Sequence, residues 1–321
     1  MKRFKNILIA VQAEDTSPAL LARAQWLARS NGARLTLVHV LENSPSDLSA
    51  LLSVLSGPRA QQVSDGVRAF HTEQLEAQAA ALRDAGVEVE TKLLSGVGFV
   101  ELIRQVLRGG HDLLLKTADR TPDSPALGGL DLHLLRKCPA PVWILNARAE
   151  PRSARIMAAV DPDPEDPVRD ALNHKVMQLA TSLARQDEAT LDVINAWFLP
   201  EESALRSSLV KAPEAEIQML LSKAERESAA RLQALLDDFG AFADLMKSHH
   251  AKGMPATVIT EHEEIAHIDT LVMGTLGRTG LTGMFIGNTA ETVLSRVTCS
   301  VLAVKPDGFI SPVTVEEDSS T

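Results

Sequence analysis

Tyrosine is missing altogether from this 321-residue chain, and aromatic residues make up only 3% of it. The cores must therefore be filled by Ala, Leu and Val. The stacking platforms that single-stranded nucleic-acid binders build from aromatics are not supplied. Cysteine is nearly as scarce, with Cys138 and Cys299 standing one in each half. Two such thiols make neither a disulfide framework nor a metal–thiolate cluster, so a reducing compartment is expected. No apolar run nears the roughly 18–20 residues needed to cross a bilayer. The basic start Met1-Lys2-Arg3-Phe4-Lys5 is followed by an apolar run only from Ile7 to Val11, too short for a secretion signal. A cytoplasmic protein with no membrane partner is the expectation.

Acidic residues outnumber basic ones 42 to 32, and unevenly. Residues 1–150 carry 17 basic and 16 acidic groups, which leaves 15 and 26 for the remainder. An acidic half is a poor partner for nucleic acid. Any phosphate site must then be local, made of backbone N–H groups and one or two basic side chains. At roughly 100–200 residues per domain, the length suggests two domains.

The chain repeats itself. Lys5–Val11 and Ala154–Asp161 are short apolar runs, each followed by turn residues and then a helical pattern, near 17–30 and 166–185. The second of these patterns puts Val168, Leu172, Val176, Leu179 and Leu183 on one face. Alternating, β-branched runs follow at Arg34–Val40 and Thr190–Ala196 and read as strands. Longer helical patterns at Arg59–Ala85 and Glu214–Phe239 end at Gly86 and Gly240, where caps are expected. Strands at Val87–Leu93 and Phe242–His249, helices at Phe99–Arg108 and Pro255–Ala266, and strands at Asp112–Lys116 and Asp269–Met273 come next. Last strands fall at Pro141–Leu145 and Ser300–Val304. Each half reads as alternating strands and helices, which implies right-handed crossovers and a parallel sheet covered on both faces. The fold expected is α/β, two tandem doubly wound domains with a five-stranded parallel sheet each. The expected bounds are 1–148 and 153–306, with an acidic tail over 307–321 that is expected to fray.

The informative stretch follows the fourth strand of the second half. Gly274, Gly277, Gly280, Gly283 and Gly287 fall within fourteen residues and precede a helix. Glycine lets backbone amides approach a phosphate closely, and a helix start adds free N–H groups. Asn288 and Thr289 can add side-chain donors, and Arg278 can neutralise phosphate charge. The run lacks the Gly-Lys-Ser/Thr of a Walker loop. The bland alternative is a glycine loop that only packs on the sheet.

Here the sequence resembles the universal stress protein family, whose nucleotide-binding members show Gly-x2-Gly-x9-Gly-Ser/Thr at this place. This chain has Gly274-x2-Gly277-x9-Gly287-Asn288-Thr289. Gly277-Arg278-Thr279-Gly280, Gly287-Asn288-Thr289-Ala290-Glu291 and Leu134-Leu135-Arg136-Lys137-Cys138-Pro139 extend the resemblance to the family's tandem-domain type, over nearly the whole chain. It implies the Usp fold, of the adenine nucleotide alpha hydrolase-like kind, and ATP or a related adenine nucleotide as ligand, with Mg or Mn. It implies that Asp161 sits on the adenosine side, that Ala196 lines the adenine pocket, and that Met273 and Gly274 flank base and ribose. Gly277, Gly287, Asn288 and Thr289 would hold phosphates. Asn288 stands where the family has Ser or Thr and lacks their hydroxyl. In single-domain relatives two chains pair through their fifth strands, which implies intramolecular pairing of the two domains here and leaves a homo-oligomer open. The first half departs further, with Gln12 in place of Asp161 and no glycine after Lys116 until Gly128-Gly129. It is expected to be structural or to bind something else.

No carboxylate or histidine in the loop is placed to activate water, so the expectation is a ligand-dependent regulator or interaction protein, with slow ATP hydrolysis open. A nucleotide-free scaffold is the alternative. An adenylylating enzyme is disfavoured by the lack of a Ser-Gly-Gly-x-Asp loop after the first strand. His262 and His267 are five apart, and a shared helical face needs four. His249 and His250 point to opposite faces of a strand. His39 and Asn195 read as hydrogen-bonded interior groups, Cys138 and Cys299 as inert buried thiols, and Trp197 as core.

Overall fold

The structure, a computed structural model, describes residues 3–12, 16–42, 58–119, 127–275 and 286–315. They divide into two compact units. Unit one runs to Arg152 and takes in the segment from Phe309; unit two runs from Ser153 to Gly308. Unit one contains β1 (Asn6–Ala10), α1 (Pro18–Asn31), β2 (Arg34–Glu42), α2 (Pro58–Asp84), β3 (Val89–Gly96), α3 (Gly98–Gly109), β4 (Leu113–Thr117), α4 (Gly129–Lys137) and β5 (Val142–Leu145). Its strands are parallel, in the order β3-β2-β1-β4-β5.

Unit two contains β6 (Arg155–Ala159), α5 (Pro167–Asp187), β7 (Thr190–Trp197), α6 (Glu202–Leu205), α7 (Glu214–Asp237), β8 (Met246–Lys252), α8 (Pro255–Ala266), β9 (Thr270–Gly274), α9 (Asn288–Leu294) and β10 (Ser300–Val304). Its parallel order is β10-β9-β6-β7-β8. The central strands of both units are buried on both faces, as parallel strands under crossover helices must be.

The repeat extends to individual hydrogen bonds. Asp112, just before β4, accepts the Lys5 and Asn6 amides at 2.6 and 3.1 Å. Asp269, just before β9, accepts the Ala154 and Arg155 amides, both at 2.8 Å. The last residue of the first helix does the same just upstream: Asn31 accepts the Arg3 amide, and Asp187 the Ser153 amide, each at 2.9 Å. His39 and Asn195 both reach the carbonyl that follows the first strand, Val11 at 3.1 Å and Val160 at 3.0 Å. A charged or amide side chain thus captures donors and acceptors that a strand end would otherwise leave open.

Four details differ from the sequence reading. β8 starts at Met246, because Phe242, Ala243 and Leu245 spend their amides on the turn carbonyls of Phe239, Gly240 and Phe242. Gly86 caps α2 with a φ of 79°, but Gly240 opens a short 3-10 turn instead, and α7 is closed by Asp238 at a φ of −65°. Val168 lies in the first turn of α5 and is exposed, whereas Leu172 onward meets the sheet. The tail does not fray at once: Arg104 and Arg108 of α3 donate to the Thr314 and Val315 carbonyls at 3.2 and 3.0 Å.

His111 shows how unit one handles a buried base. Its Nδ1 faces the Gln105 carbonyl and its Nε2 the Thr36 hydroxyl, both at 3.1 Å. A carbonyl only accepts, so Nδ1 carries the proton and Nε2 accepts from Thr36. Burial holds the imidazole below its ordinary pKa. The unfolded chain therefore takes up this proton first, and stability is lost as pH falls below about 6.5. We expect wild type to lose more stability than His111→Gln between pH 7.5 and 5.5, by at most about 1.4 kcal/mol per pH unit. Urea midpoints at the two pH values check this.

Candidate functional site: a cleft at the carboxyl ends of unit two

Winding reverses at β6, which has β7 on one side and β9 on the other. In an open α/β sheet that reversal leaves a crevice beyond the carboxyl ends of the strands. A cleft of about 120 Å³ lies there. β6 and the residues after it contribute Ala159, Val160 and Asp161, β7 contributes Ile194 and Ala196, and β9 contributes Met273 and Gly274. Arg169, Leu172, Asn173 and Val176 face it from α5, Pro255 and Ile259 from α8, and Thr289 and Ala290 from α9.

Of the residues singled out from the sequence, Asp161, Ala196, Met273, Gly274 and Thr289 share this cleft. Asn288 is the exposed first residue of α9, and Gly287 is its N-cap. Gly277 and Arg278 lie outside the described residues. Two glycines have structural duties of their own. The Gly287 N–H donates to the Thr275 carbonyl at 3.1 Å, so that amide is already engaged by protein. A Cβ on Gly274 would stand 2.7 Å from Leu172 Cδ2, so close packing of α5 on β9 calls for glycine there whatever the cleft holds.

Arg169 and Asn173 are the residues sequence reading missed. Arg169 donates to the Asp161 carboxylate at 2.7 Å and to Asp163 at 2.6 Å. Asn173 holds the Asp161 backbone from both sides: its Oδ1 accepts the Asp161 amide at 2.8 Å and its Nδ2 donates to the Asp161 carbonyl at 2.9 Å. The two are four apart, one turn of the helix begun by the Asp166 cap, whose carboxylate accepts the Val168 and Arg169 amides. Polar residues at i and i+4 beside an apolar stripe were the available signal.

The same place in unit one is built differently. The fourth residue of β9 is Met273, and the fourth of β4 is Lys116. The third residue of α9 is Ala290, and the third of α4 is Asp131. Lys116 and Asp131, both buried, meet at 2.5 Å. Asp131 also accepts the Asp119 and Gly128 amides at 2.8 and 3.1 Å. Burial pushes the Asp131 carboxyl above its ordinary pKa, against the pull of the Lys116 ammonium.

The universal stress protein family matches residues 3–146 and again residues 153–305. The chain belongs to that family. It is 29% identical to universal stress protein E of Escherichia coli K12 over 322 residues, covering 99% of each chain. A universal stress protein E homolog of Haemophilus influenzae is 27% identical, over 95% of this chain and 98% of its own. Among solved structures, a functionally unknown protein of Pseudomonas aeruginosa PAO1 superposes with a TM-score of 0.69 at 25% identity, over 96% of this chain and 95% of that one. A universal stress protein of Archaeoglobus fulgidus shares the fold at a TM-score of 0.60 and 16% identity, over 94% and 98%. The tandem arrangement is thus carried by full-length relatives.

The remaining candidates in this universal stress protein fall into place. Trp197 packs on Ile217 and Leu221 of α7 and is core. Cys138 and Cys299 are both buried. His250 lies on the α7 side with Ser228, 3.1 Å away, while His249 lies on the other face against His262. His267 has left the helix: it is the left-handed C-cap of α8, with a φ of 50°. Glu263 is buried, and its carboxylate accepts the Thr298 and Cys299 amides at 3.2 and 3.0 Å. Among the described residues no helix is long and apolar enough to cross a membrane.

Two predictions follow from this geometry. Asp131→Ala removes the nearer of two carboxylates from the buried Lys116 ammonium, Asp119 staying at 2.9 Å, and leaves the Asp119 and Gly128 amides without their acceptor; it should cost about 1–3 kcal/mol in chemical denaturation, whereas Asp131→Asn, which keeps an acceptor for those amides, should cost less. Gly274→Ala drives Leu172 into the cleft and should cost about 1–3 kcal/mol, read as a lowered Tm.

Proposed function

We propose that unit two binds ATP or a related adenine nucleotide in this cleft. The chain would act in stress tolerance as a ligand-dependent regulator or interaction protein, without dedicated turnover. The observation that carries the reading is the contrast between the two units at one place. In unit two, Met273 and Ala290 line an open crevice with Ala196 and Ile194. In unit one, the matching residues are Lys116 and Asp131, which form an ion pair there. An apolar slot with a few fixed polar groups is the usual form of a small-molecule site.

Within this reading the base lies between Ala196 and Met273, and Gly274 flanks the ribose. The Asp161 carboxylate, placed by Asn173 and Arg169, accepts from adenosine-side donors. Phosphates extend toward Asn288 and Thr289, where the first turn of α9 has N–H groups without partners inside the helix; Gly277 and Arg278, outside the described residues, are proposed for the same phosphates from the sequence alone. The engaged Gly287 amide contributes only by moving. Mg or Mn fits as a companion of the polyphosphate, because Mg is held largely through phosphates and waters. Among the described lining residues, Asp161 is the one carboxylate, and it is paired with Arg169. That pairing supports binding over hydrolysis. The engaged amide of Gly287 and the packing need at Gly274 favour the second reading, a nucleotide-free scaffold.

Calorimetry and thermal melts of the full chain with ATP, ADP and AMP separate the two. Saturable one-to-one binding and a raised Tm are expected. Asp161→Asn should weaken binding about tenfold, a loss of about 1.4 kcal/mol. Ala196→Leu should abolish it while the Tm without ligand stays within a few degrees. No heat and no thermal shift at millimolar nucleotide would establish the scaffold instead.

A further inference from the structure

Beside the cleft, three metal-ligating side chains from three elements meet on one face of the sheet. Asp192 is the third residue of β7, His249 the fourth of β8, and His262 belongs to α8. β7 and β8 pair with Ile194 opposite His249. Asp192, Ile194 and His249 therefore share a face, the face α8 covers. One ligand atom from each of Asp192, His249 and His262 lies within 4.8 Å of the others.

The arrangement leaves an unmet need. His262 Nε2 lies 2.7 Å from Asp192 Oδ2. His249 Nε2 lies 3.5 Å from Oδ1 of the same carboxylate, where it is buried and makes no hydrogen bond. The ring centroids are 4.3 Å apart. Two imidazoles are thus crowded onto one carboxylate, and only one is satisfied. A buried ring nitrogen without a partner is costly. A cation between the three would answer it.

The geometry points to a Zn²⁺ site made of Asp192, His249 and His262. Bonds of about 2.0–2.1 Å to nitrogen and oxygen give a tetrahedral ion ligand-to-ligand edges of about 3.3–3.4 Å. The imidazoles approach different oxygens of Asp192, at 2.7 and 3.5 Å, and one ligand atom from each residue lies within 4.8 Å of the others, so small side-chain shifts bring the set to that length. Two imidazoles with one carboxylate suit a borderline ion such as Zn²⁺ better than Mg²⁺ or Ca²⁺, which favour all-oxygen sets. Three protein ligands leave the fourth position to water. His249 is about one-third exposed, with a side-chain value of 35%, and lies on the outermost strand of the unit's sheet order, which provides an entry path. The site borders the cleft without sharing a residue with it: Ile194, two residues along β7 from Asp192, and Ile259, three before His262 on α8, stand between the two. With Zn²⁺ bound, α8 is tied through His262 to β7 and β8.

Metal-free full-length protein is titrated with Zn²⁺ in competition with a chromophoric chelator, and with Co²⁺ for its visible spectrum. One equivalent of tightly held Zn²⁺ and an intense four-coordinate Co²⁺ spectrum are expected, with a raised Tm. His249→Ala and His262→Ala should each weaken this site by more than about 100-fold, beyond the loss that an outer partner brings. His250→Ala and His267→Ala should leave it intact. The metal-free melts of His249→Ala serve as the folding control, since that side chain is partly exposed. Failure to take up Zn²⁺ at micromolar concentration overturns the assignment. So does uptake that survives the His249→Ala/His262→Ala double variant, which would send the ion elsewhere among the nine histidines.

Discussion

Parallel strands that follow one another in sequence can be joined only by a crossover, and the crossover is right-handed. Chain that leaves the central strand in one direction covers one face of the sheet; chain that returns on its other side covers the opposite face. At β1 and at β6 the winding therefore divides, and the carboxyl end of that strand is left without a lid of its own. The cleft of unit two is arranged about this gap. The residue after β6 is Asp161, β9 brings Gly274 to the opposite lip, and α5 places Arg169 and Asn173 above them.

The two units handle their two ends in opposite ways. At the amino ends of the strands they are near copies: Asp112 and Asp269 perform one task, as do Asn31 and Asp187. Those side chains fix where the first strand begins, and with it the register of the whole sheet. At the carboxyl ends the copies diverge, with a crevice in one and an ion pair in the other. Stability is thus invested at one end, and the other is left to vary.

The sheet was legible because its strands are short apolar runs between strong helical patterns, and the duplication let each half check the other. Asp112 and Asp269 stood at the starts of the expected fourth strands, but their role lies in amides more than a hundred residues away. Gly274 was legible as a glycine, not as the neighbour of Leu172. The positions of Arg169 and Asn173 follow from helical spacing, but the apolar stripe beside them is the stronger pattern and does not distinguish a polar pair that faces a cleft from one that faces solvent. The histidines mislead when taken as neighbours in sequence. His262 meets neither His267 nor a partner on its own helix, but residues 70 and 13 positions earlier, on two strands.

The ion pair of unit one also bears on what that half tolerates. Lys116 and Asp131 are both buried, and losing one charge alone leaves the other desolvated with less to compensate it. Replacements there are expected to be accepted together sooner than singly, whereas Met273 and Ala290, uncharged at the matching places, carry no such coupling.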